Sequence, residues 1–280
     1  TGLMLDLTDL GFDRGVLDRY RELIRATHGI ILVTGPTGSG KTTTLYSSLA
    51  QLNKPNVKII TIEDPVEYQI AGINQIHVNP KVGLTFAHGL RSILRQDPDI
   101  VMVGEIRDVE TAEVAVQASL TGHLVFSTLH TNDAPSAITR LIDMGVEPYL
   151  ITSTVIGVAA QRLVRVLCPH CKRAYETDAE EYIERLMLPE GVAPPGKQTY
   201  YEAVGCDKCR DTGFQGRLSL FEVMLMTESI KRMTLQRAAS YELKKQAAAD
   251  GMVTLQHAGW LKARAGVTTL EEVLSVTEEA

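Results

Sequence analysis

Apolar positions in the first 165 residues form either short continuous runs or stripes at helical spacing. Continuous runs rich in β-branched residues predict buried strands at residues 30–33, 57–62, 73–78, 99–105 and 124–128. Apolar residues spaced three and four apart predict helices at residues 13–27, 45–52, 85–94 and 109–120. This alternation of strands and helices predicts an α/β fold with an open parallel sheet.

The pattern changes in the second half of the chain. Residues 132–160 have helical spacing, and residues 161–167 have an extended pattern. Beyond residue 217 a hairpin-like segment precedes short helices at residues 230–237, 241–250, 255–265 and 270–276. We therefore expect three parts: an α/β domain at residues 1–165, a cysteine-containing region at residues 166–218 and a helical region at residues 219–280.

The segment after the first predicted strand fits the phosphate-loop pattern G-x-x-x-x-G-K-[ST]. Glycines let consecutive N–H groups surround phosphate oxygens, and the next helix adds its positive N-terminal end. Lys41 would reach the terminal phosphates, and Thr42 would place its hydroxyl on Mg²⁺. The expected nucleotide-binding residues are Gly35, Pro36, Thr37, Gly38, Ser39, Gly40, Lys41, Thr42 and Thr43.

Two predicted strands end in carboxylates. Three acids lie within residues 63–67, and Glu105 ends the strand at residues 99–105. Because ligands bind beyond the carboxyl ends of parallel strands, both groups should lie beside the phosphate loop. An acid there can activate the attacking water or hold Mg²⁺. Glu105 stands where a Walker B aspartate is usual. The residues therefore do not decide which of Glu105 and Glu67 activates the water and which holds Mg²⁺. The alternative for residues 63–67 is an acidic surface turn.

Two arginines and two histidines are further candidates. Arg91 and Arg95 lie four apart on one helical face, which is either a solvated surface or a pair of cations directed at phosphate. Spacing alone favours the surface. His123 and His130 bracket the strand at residues 124–128, where they are either structural or sensors that contact the terminal phosphate or a catalytic acid.

All four cysteines occur in two C-x-x-C pairs. Two such pairs suit tetrahedral Zn²⁺, and four thiolates close its coordination sphere, so the metal would be structural. The alternative is four reduced thiols without metal. The expected zinc ligands are Cys168, Cys171, Cys206 and Cys209.

Composition and charge limit the kinds of partner and the cellular location that we expect for this protein. The 280 residues are 44% hydrophobic, which is enough for a substantial core. A net charge of −6 and a pI near 5.7 do not favour nucleic acid as a partner. No apolar run approaches the roughly 20 residues that span a bilayer, and no signal sequence begins the chain, so we expect a cytoplasmic protein without membrane insertion. Because the chain begins at Thr1, we expect a fragment of a longer protein.

Four blocks together resemble the secretion ATPase superfamily, within it the type II secretion and type IV pilus assembly ATPases (GspE and PilB). They are GPTGSGKT at residues 35–42, IEDPVE at 62–67, LRQDPD through GEIRD at 94–108, and TGH through TLH at 121–130. The resemblance implies a RecA-like P-loop domain that hydrolyses Mg-ATP in a homo-hexamer at the cytoplasmic face of the inner membrane. Implied partners are an inner-membrane platform protein and secretion or pilus docking proteins.

The resemblance also implies residue roles. Glu67 is the general base, Glu105 is the Walker B acid and a magnesium ligand with Thr42, and His123 and His130 form a His box. Arg91 and Arg95 extend into a neighbouring subunit's site. The tetracysteine region is typical of secretion and assembly members rather than of retraction ATPases.

Further domains of the family are missing from the sequence, so the isolated chain should hydrolyse ATP poorly. Two other functions stay open, a RecA-type nucleic-acid motor and a nucleotide-gated switch with incidental hydrolysis. The residues do not distinguish secretion from pilus assembly.

Overall fold

The computed structural model describes residues 5–178 and 180–278, so the first four residues, residue 179 and the last two lie outside it. Its strands are β1 (Gly29–Thr34), β2 (Ile59–Glu63), β3 (Asn74–His77), β4 (Ile100–Val103), β5 (Leu124–Leu129), β6 (Val155–Leu167), β7 (Arg173–Asp178), β8 (Lys197–Glu202) and β9 (Phe214–Leu225). Its helices are α1 (Arg14–Ile24), α2 (Lys41–Leu52), α3 (Phe86–Leu94), α4 (Val109–Leu120), α5 (Ala134–Asp143), α6 (Pro148–Thr154), α7 (Glu180–Ile183), α8 (Glu228–Leu235), α9 (Ser240–Ala249), α10 (Leu255–Arg264) and α11 (Leu270–Thr277).

The main sheet has seven strands in the order β3-β2-β4-β5-β1-β6-β9. Six strands are parallel, and β9 pairs antiparallel with β6. The predicted α/β fold with a parallel sheet is therefore confirmed. All six residues of β1 are buried, because helices cover both faces of the sheet.

Alternate residues of β1 enter the two core layers that cover the sheet. Ile30 and Leu32 pack with the layer that contains α3, α4 and α5. Ile31 and Val33 pack with the layer formed by α1 and α2. This two-sided burial explains why the strand is a continuous apolar run rather than an alternating one.

The structure differs from the expected organisation at two places in the second half of the chain. Residues 155–160 were expected to be helical but form the start of β6, because they pair with β1 on one side and with β9 on the other. The boundary expected between residues 218 and 219 falls inside β9. That strand belongs to the main sheet, so the sheet includes segments from both sides of the cysteine-containing region.

The cysteine-containing region and the last helices share a small core. The β7–β8 hairpin carries Tyr200, which packs with Trp260 of α10 and with Leu270 and Val273 of α11. The Trp260 indole N–H donates to the Tyr200 hydroxyl at 3.0 Å. The tryptophan is 1% exposed, as expected for core packing. No helix in the described part of the chain has the length and apolar character needed to cross a bilayer.

Candidate nucleotide site and tetracysteine site

The phosphate loop joins β1 to α2, as its sequence predicts. Gly40 caps α2 with φ of 89°, a left-handed conformation that favours glycine. Gly35 has φ of 151°, and a Cβ there would lie 2.6 Å from the carbonyl oxygen of Gln161. Both glycines are therefore required by backbone conformation and by close packing.

A cleft of about 650 Å³ opens beside this loop at the carboxyl ends of the parallel strands. The predicted residues in its lining are Thr37, Gly38, Gly40, Lys41, Thr42, Thr43, Glu67, Glu105 and His130. These residues come from four separate segments, which follow β1, β2, β4 and β5. The topology therefore brings the loop, both proposed acids and one histidine to a single site.

Lys41 lies back over the phosphate loop. Its ammonium group donates to the carbonyl oxygens of Gly35 at 2.8 Å and Pro36 at 2.9 Å. Burial lowers the pKa of Lys41, and the nearby Glu105 carboxylate opposes this shift. The lysine is thus a partly desolvated cation that an anionic ligand could draw away from neutral carbonyls.

Glu105 is held in place by two neighbours. Its carboxylate forms an ion pair with Arg107 at 2.5 Å and lies 3.3 Å from Nε2 of His130. The Glu105 side chain is only 10% exposed. The Thr128 hydroxyl also donates to the Gly104 carbonyl at 2.7 Å, which ties the ends of β4 and β5 together. Glu105 therefore has little freedom to move.

Glu63 is a buried acid in the same cleft, but its oxygens are occupied. It accepts hydrogen bonds from the hydroxyls of Tyr46 and Thr61, and from Gln75 Nε2 at 3.2 Å. Burial, with Glu63 close by, raises the pKa of Tyr46, so the phenol remains a hydrogen-bond donor. By contrast, Glu67 is exposed at the edge of the cleft, and its backbone N–H donates to the Tyr46 hydroxyl at 3.3 Å.

Comparison with known proteins shows the family to which the chain belongs. A family model described as "Type II/IV secretion system protein" matches residues 1–275. The chain belongs to this family. The expected resemblance to secretion and pilus assembly ATPases is therefore confirmed, and the match includes the cysteine-containing region and the last helices.

Two curated relatives and one solved structure illustrate the similarity. The chain is 51% identical over 279 residues to the type IV pilus assembly ATPase PilB of Myxococcus xanthus, covering 99% of this chain and 49% of that protein. It is 52% identical over 276 residues to the type II secretion system ATPase E of Vibrio cholerae, covering 99% of this chain and 54% of that protein. The chain thus spans about half the length of these relatives.

The solved structure is that of the pilus retraction motor PilT with bound ADP. It matches with a TM-score of 0.70 and 28% identity, covering 99% of this chain and 66% of that one. The secretion-family fold therefore extends over essentially the whole chain.

Three predicted catalytic residues lie outside the cleft lining: Arg91, Arg95 and His123. Gly35, Pro36 and Ser39 of the predicted phosphate loop are also outside the lining. Arg91 pairs with Glu110 of α4 at 2.8 Å, and both side chains are more than half exposed. Arg95, just beyond the end of α3, is also exposed. Neither arginine lines the cleft of its own chain.

His123 lies at the opposite end of β5 from His130. Six strand residues separate the two histidines, a distance of about 20 Å. The His123 ring is within hydrogen-bond distance of the Ala118 carbonyl at 2.9 Å and the Thr121 hydroxyl at 3.1 Å. His123 therefore does not line this chain's own cleft, because it lies at the other end of β5 from His130.

Sequence reasoning missed three polar residues at the site. Arg107 was quoted within a motif but given no role, although it pairs with Glu105. Arg217 lines the cleft from β9. Gln161 hydrogen-bonds to the phosphate loop. No spacing rule could reveal the last two, because each is more than 100 residues from the loop along the chain.

The four cysteines come together as predicted. Their sulfur atoms all lie within 4.8 Å of one another. The separations are 3.9 Å for Cys168 and Cys206, and 3.8 Å both for Cys171 and Cys209 and for Cys206 and Cys209. A tetrahedral site with Zn–S bonds of about 2.3 Å needs sulfurs about 3.8 Å apart. The cluster therefore has a geometry that could hold a metal ion.

Proposed function

We propose that this chain is the ATP-hydrolysing part of a motor for type II secretion or type IV pilus assembly. The observation that carries the proposal is the single cleft shared by the phosphate loop, Glu67, Glu105 and His130. Relatives about 50% identical are named as ATPases of these two systems. The net charge of −6 gives no support to a nucleic-acid motor.

The phosphates would bind along the loop from Gly35 to Thr43. Backbone N–H groups of the loop and the N-terminus of α2 would face the phosphate oxygens. Lys41 would exchange its two carbonyl partners for phosphate oxygens, a stronger charged contact. Arg217 offers a further cation at the edge of the cleft.

Mg²⁺ fits the oxygen donors that line the cleft. The hydroxyl of Thr42 and the carboxylate of Glu105 would hold it, since hard cations prefer oxygen ligands. The ion would neutralise charge on the outer phosphates. Arg107 and His130 hold the Glu105 carboxylate in position for this role.

Glu67 is the better candidate for the general base. The oxygens of Glu63 accept three hydrogen bonds, and Glu105 already contacts Arg107 and His130. Glu67 is exposed toward the cleft and can accept a proton from water. The water oxygen would bond to the γ-phosphorus while the bond to the β–γ bridging oxygen breaks, leaving ADP and phosphate.

The tetracysteine cluster would hold one structural Zn²⁺. Four thiolates leave no open position for substrate or water, so the ion would stabilise the inserted region without taking part in hydrolysis. Cys168 directly follows β6, and Cys206 and Cys209 precede β9. The metal would therefore join the two ends of the insertion.

We further propose a homo-hexamer at the cytoplasmic face of the inner membrane, acting with a membrane platform protein and docking proteins. The names of the relatives link those proteins to secretion and pilus assembly, and Arg91 and Arg95 of this chain lie on an outer surface from which they could reach a neighbouring copy. In such a ring, each cleft would be completed by arginines from the next subunit. The residue role that remains without support is the one given to His123.

The proposal is tested by Lys41→Ala. Loss of the ammonium group should lower ATP turnover by at least about 100-fold and weaken binding of a fluorescent ADP analogue, because one charged phosphate contact is removed. Lys54→Ala is the matched control, since Lys54 is exposed just beyond α2. Unchanged phosphate release by a folded Lys41→Ala protein would contradict the assignment of the cleft.

A further inference from the structure

Gln161 lies directly beneath the phosphate loop. It is fully buried in β6, and the preceding residue, Ala160, pairs with Thr34 at the end of β1. On its other side Gln161 pairs with Phe221 of β9. The residue is therefore at the level where the loop leaves β1, on a strand that is paired along both edges.

Both polar atoms of the Gln161 carboxamide form hydrogen bonds. Its Nε2 donates to the Ser39 carbonyl at 2.6 Å, and its Oε1 accepts from the Thr44 hydroxyl at 2.7 Å. One bond thus reaches the middle of the phosphate loop and the other the first turn of α2. The two contacts together fix the orientation of the carboxamide.

The two structural glycines of the loop also pack against this residue. A Cβ on Gly35 would lie 2.6 Å from the Gln161 carbonyl oxygen, and a Cβ on Gly40 would lie 3.0 Å from its Nε2. The loop therefore approaches Gln161 as closely as glycine allows. Gln161 is itself fully buried and does not line the cleft.

The hydrogen bond to Ser39 has a consequence for phosphate binding. In a trans peptide the carbonyl and the following N–H point in opposite directions. When Gln161 holds the Ser39 carbonyl toward β6, the N–H of Gly40 is directed away from β6. Gly40 lines the cleft, where that N–H is available to an anion.

We propose that Gln161 is a positioning residue for the phosphate loop. It holds the loop in its anion-binding conformation before nucleotide arrives, so that binding does not have to order the backbone. This inference rests on the proposed nucleotide-binding function of the cleft. It assigns to β6, the strand next to β1 in the sheet, an indirect part in ATP binding.

The test is Gln161→Glu, measured as the affinity for a fluorescent ADP analogue between pH 6 and pH 8.5. At pH 8 the carboxylate cannot donate to the Ser39 carbonyl, and we expect affinity to fall by about 10- to 100-fold. Position 161 is fully buried, which should raise the pKa of the new carboxyl group well above its usual value. A protonated carboxyl group can donate again, so affinity should recover as the pH falls. The unsubstituted chain, measured at the same pH values, supplies the reference.

Gln161→Met separates the hydrogen bond from the added charge. It keeps a similar volume but cannot donate, so we expect a similar loss of affinity at every pH, without recovery. Thr44→Val removes only the hydroxyl that orients the carboxamide and should cause a smaller loss. This variant keeps the test decisive if the methionine variant does not fold. Gln51→Glu, at an exposed position of the same helix α2, should bind as the unsubstituted chain does.

The outcomes distinguish the two proposals. Loss in both Gln161 variants, with recovery at low pH only for the glutamate, supports positioning through the hydrogen bond. Folded Gln161→Met and Thr44→Val proteins that both bind as tightly as the unsubstituted chain would overturn the inference but leave the proposed function intact. Failure of the unsubstituted chain to bind nucleotide would instead overturn the proposed function, and this inference with it.

Discussion

At the scale of single residues, Glu105 and Lys41 of the cleft differ in the charge of their neighbours. Glu105 is neutralised by Arg107 and lies beside His130, while Lys41 is held by carbonyl groups alone. The hydrogen-bond partners of Lys41, the cation expected to contact the phosphates, are therefore neutral groups. Glu105 is therefore held in place, whereas Lys41 can exchange its carbonyl partners for the oxygens of a bound phosphate.

A second matched pair, Glu272 with Arg165, joins α11 to β6. The Arg165 Nη2 lies 2.6 Å from the Glu272 carboxylate, and the Arg165 backbone N–H donates to it at 3.0 Å. Burial raises the pKa of Glu272, but the hydrogen bonds from Arg165 outweigh this and leave the pKa below 4.5. The pair therefore stabilises the fold above about pH 4.5, and this contribution is lost as the pH falls through the folded-state pKa.

We predict that Glu272→Gln lowers the free energy of unfolding by about 2 kcal/mol at pH 7, because charged hydrogen bonds are lost in a largely buried place. The difference from the unsubstituted chain should shrink as the pH is lowered below about 4.5. Urea unfolding at several pH values measures both effects. Glu228→Gln, which breaks an exposed pair with Lys231, should change stability by no more than about 0.5 kcal/mol. A pH-independent difference for Glu272→Gln would contradict the role assigned to its charge.

At the scale of elements, the tetracysteine cluster closes the insertion between β6 and β9. Backbone N–H groups of Cys206 and Gly213 each lie 3.2 Å from the Cys209 sulfur, which suits a thiolate in a metal site. The insertion also packs on α10 and α11 through Tyr200 and Trp260. A metal ion bound by the four cysteines and the apolar packing on α10 and α11 would thus together hold the β7–β8 hairpin to the rest of the chain.

We predict about one zinc per chain in protein purified without chelator, and its loss in Cys206→Ser, because three thiolates hold the ion less tightly. Chelation should lower the thermal unfolding temperature of the unsubstituted chain but have little further effect on the serine variant. Asp207→Asn is the control, since Asp207 is exposed between two ligands and should leave the metal content unchanged. Metal analysis that finds no zinc in the unsubstituted protein would contradict the site.

At the scale of the whole molecule, Arg91 and Arg95 lie on the surface that we propose contacts another copy of the chain. Arg91 and Arg95 lie on α3 or at its end, outside the cleft of their own chain and exposed. Arg91 makes only an exposed ion pair with Glu110, a contact worth little to stability. Its charge is therefore available to a phosphate in a neighbouring cleft at small cost to the fold.

We predict that Arg91→Ala and Glu67→Gln each abolish most hydrolysis in the assembled protein, and that mixing the two restores part of it. Some interfaces in a mixed ring would pair an intact Glu67 with an intact Arg91 from the next copy, and such an arginine contributes about 10³-fold or more to rate. Phosphate release is followed while one variant is titrated into the other. Mixing Glu67→Gln with the double variant should restore nothing. If mixed rings form but no ratio recovers activity, Arg91 does not act between subunits.

The sequence by itself determined the features that are encoded in short segments. The phosphate loop, the two C-x-x-C pairs and the four C-terminal helices follow from contiguous residues, because backbone conformation, metal-ligand spacing and helical periodicity are local properties. The strand order could not be read in this way. Residues 155–160 carry an apolar pattern that also suits a helix, and their pairing with β1 and β9 selected the strand.

Only the tertiary structure decided which distant residues meet at the cleft. His123 and His130 are similar in sequence context, but the direction of β5 brings only His130 to Glu105. Gln161 contacts the phosphate loop because β6 lies next to β1, and Arg217 lines the cleft because β9 lies next to β6. Contacts between residues far apart in the chain depend on how the whole sheet is assembled, which no local pattern encodes.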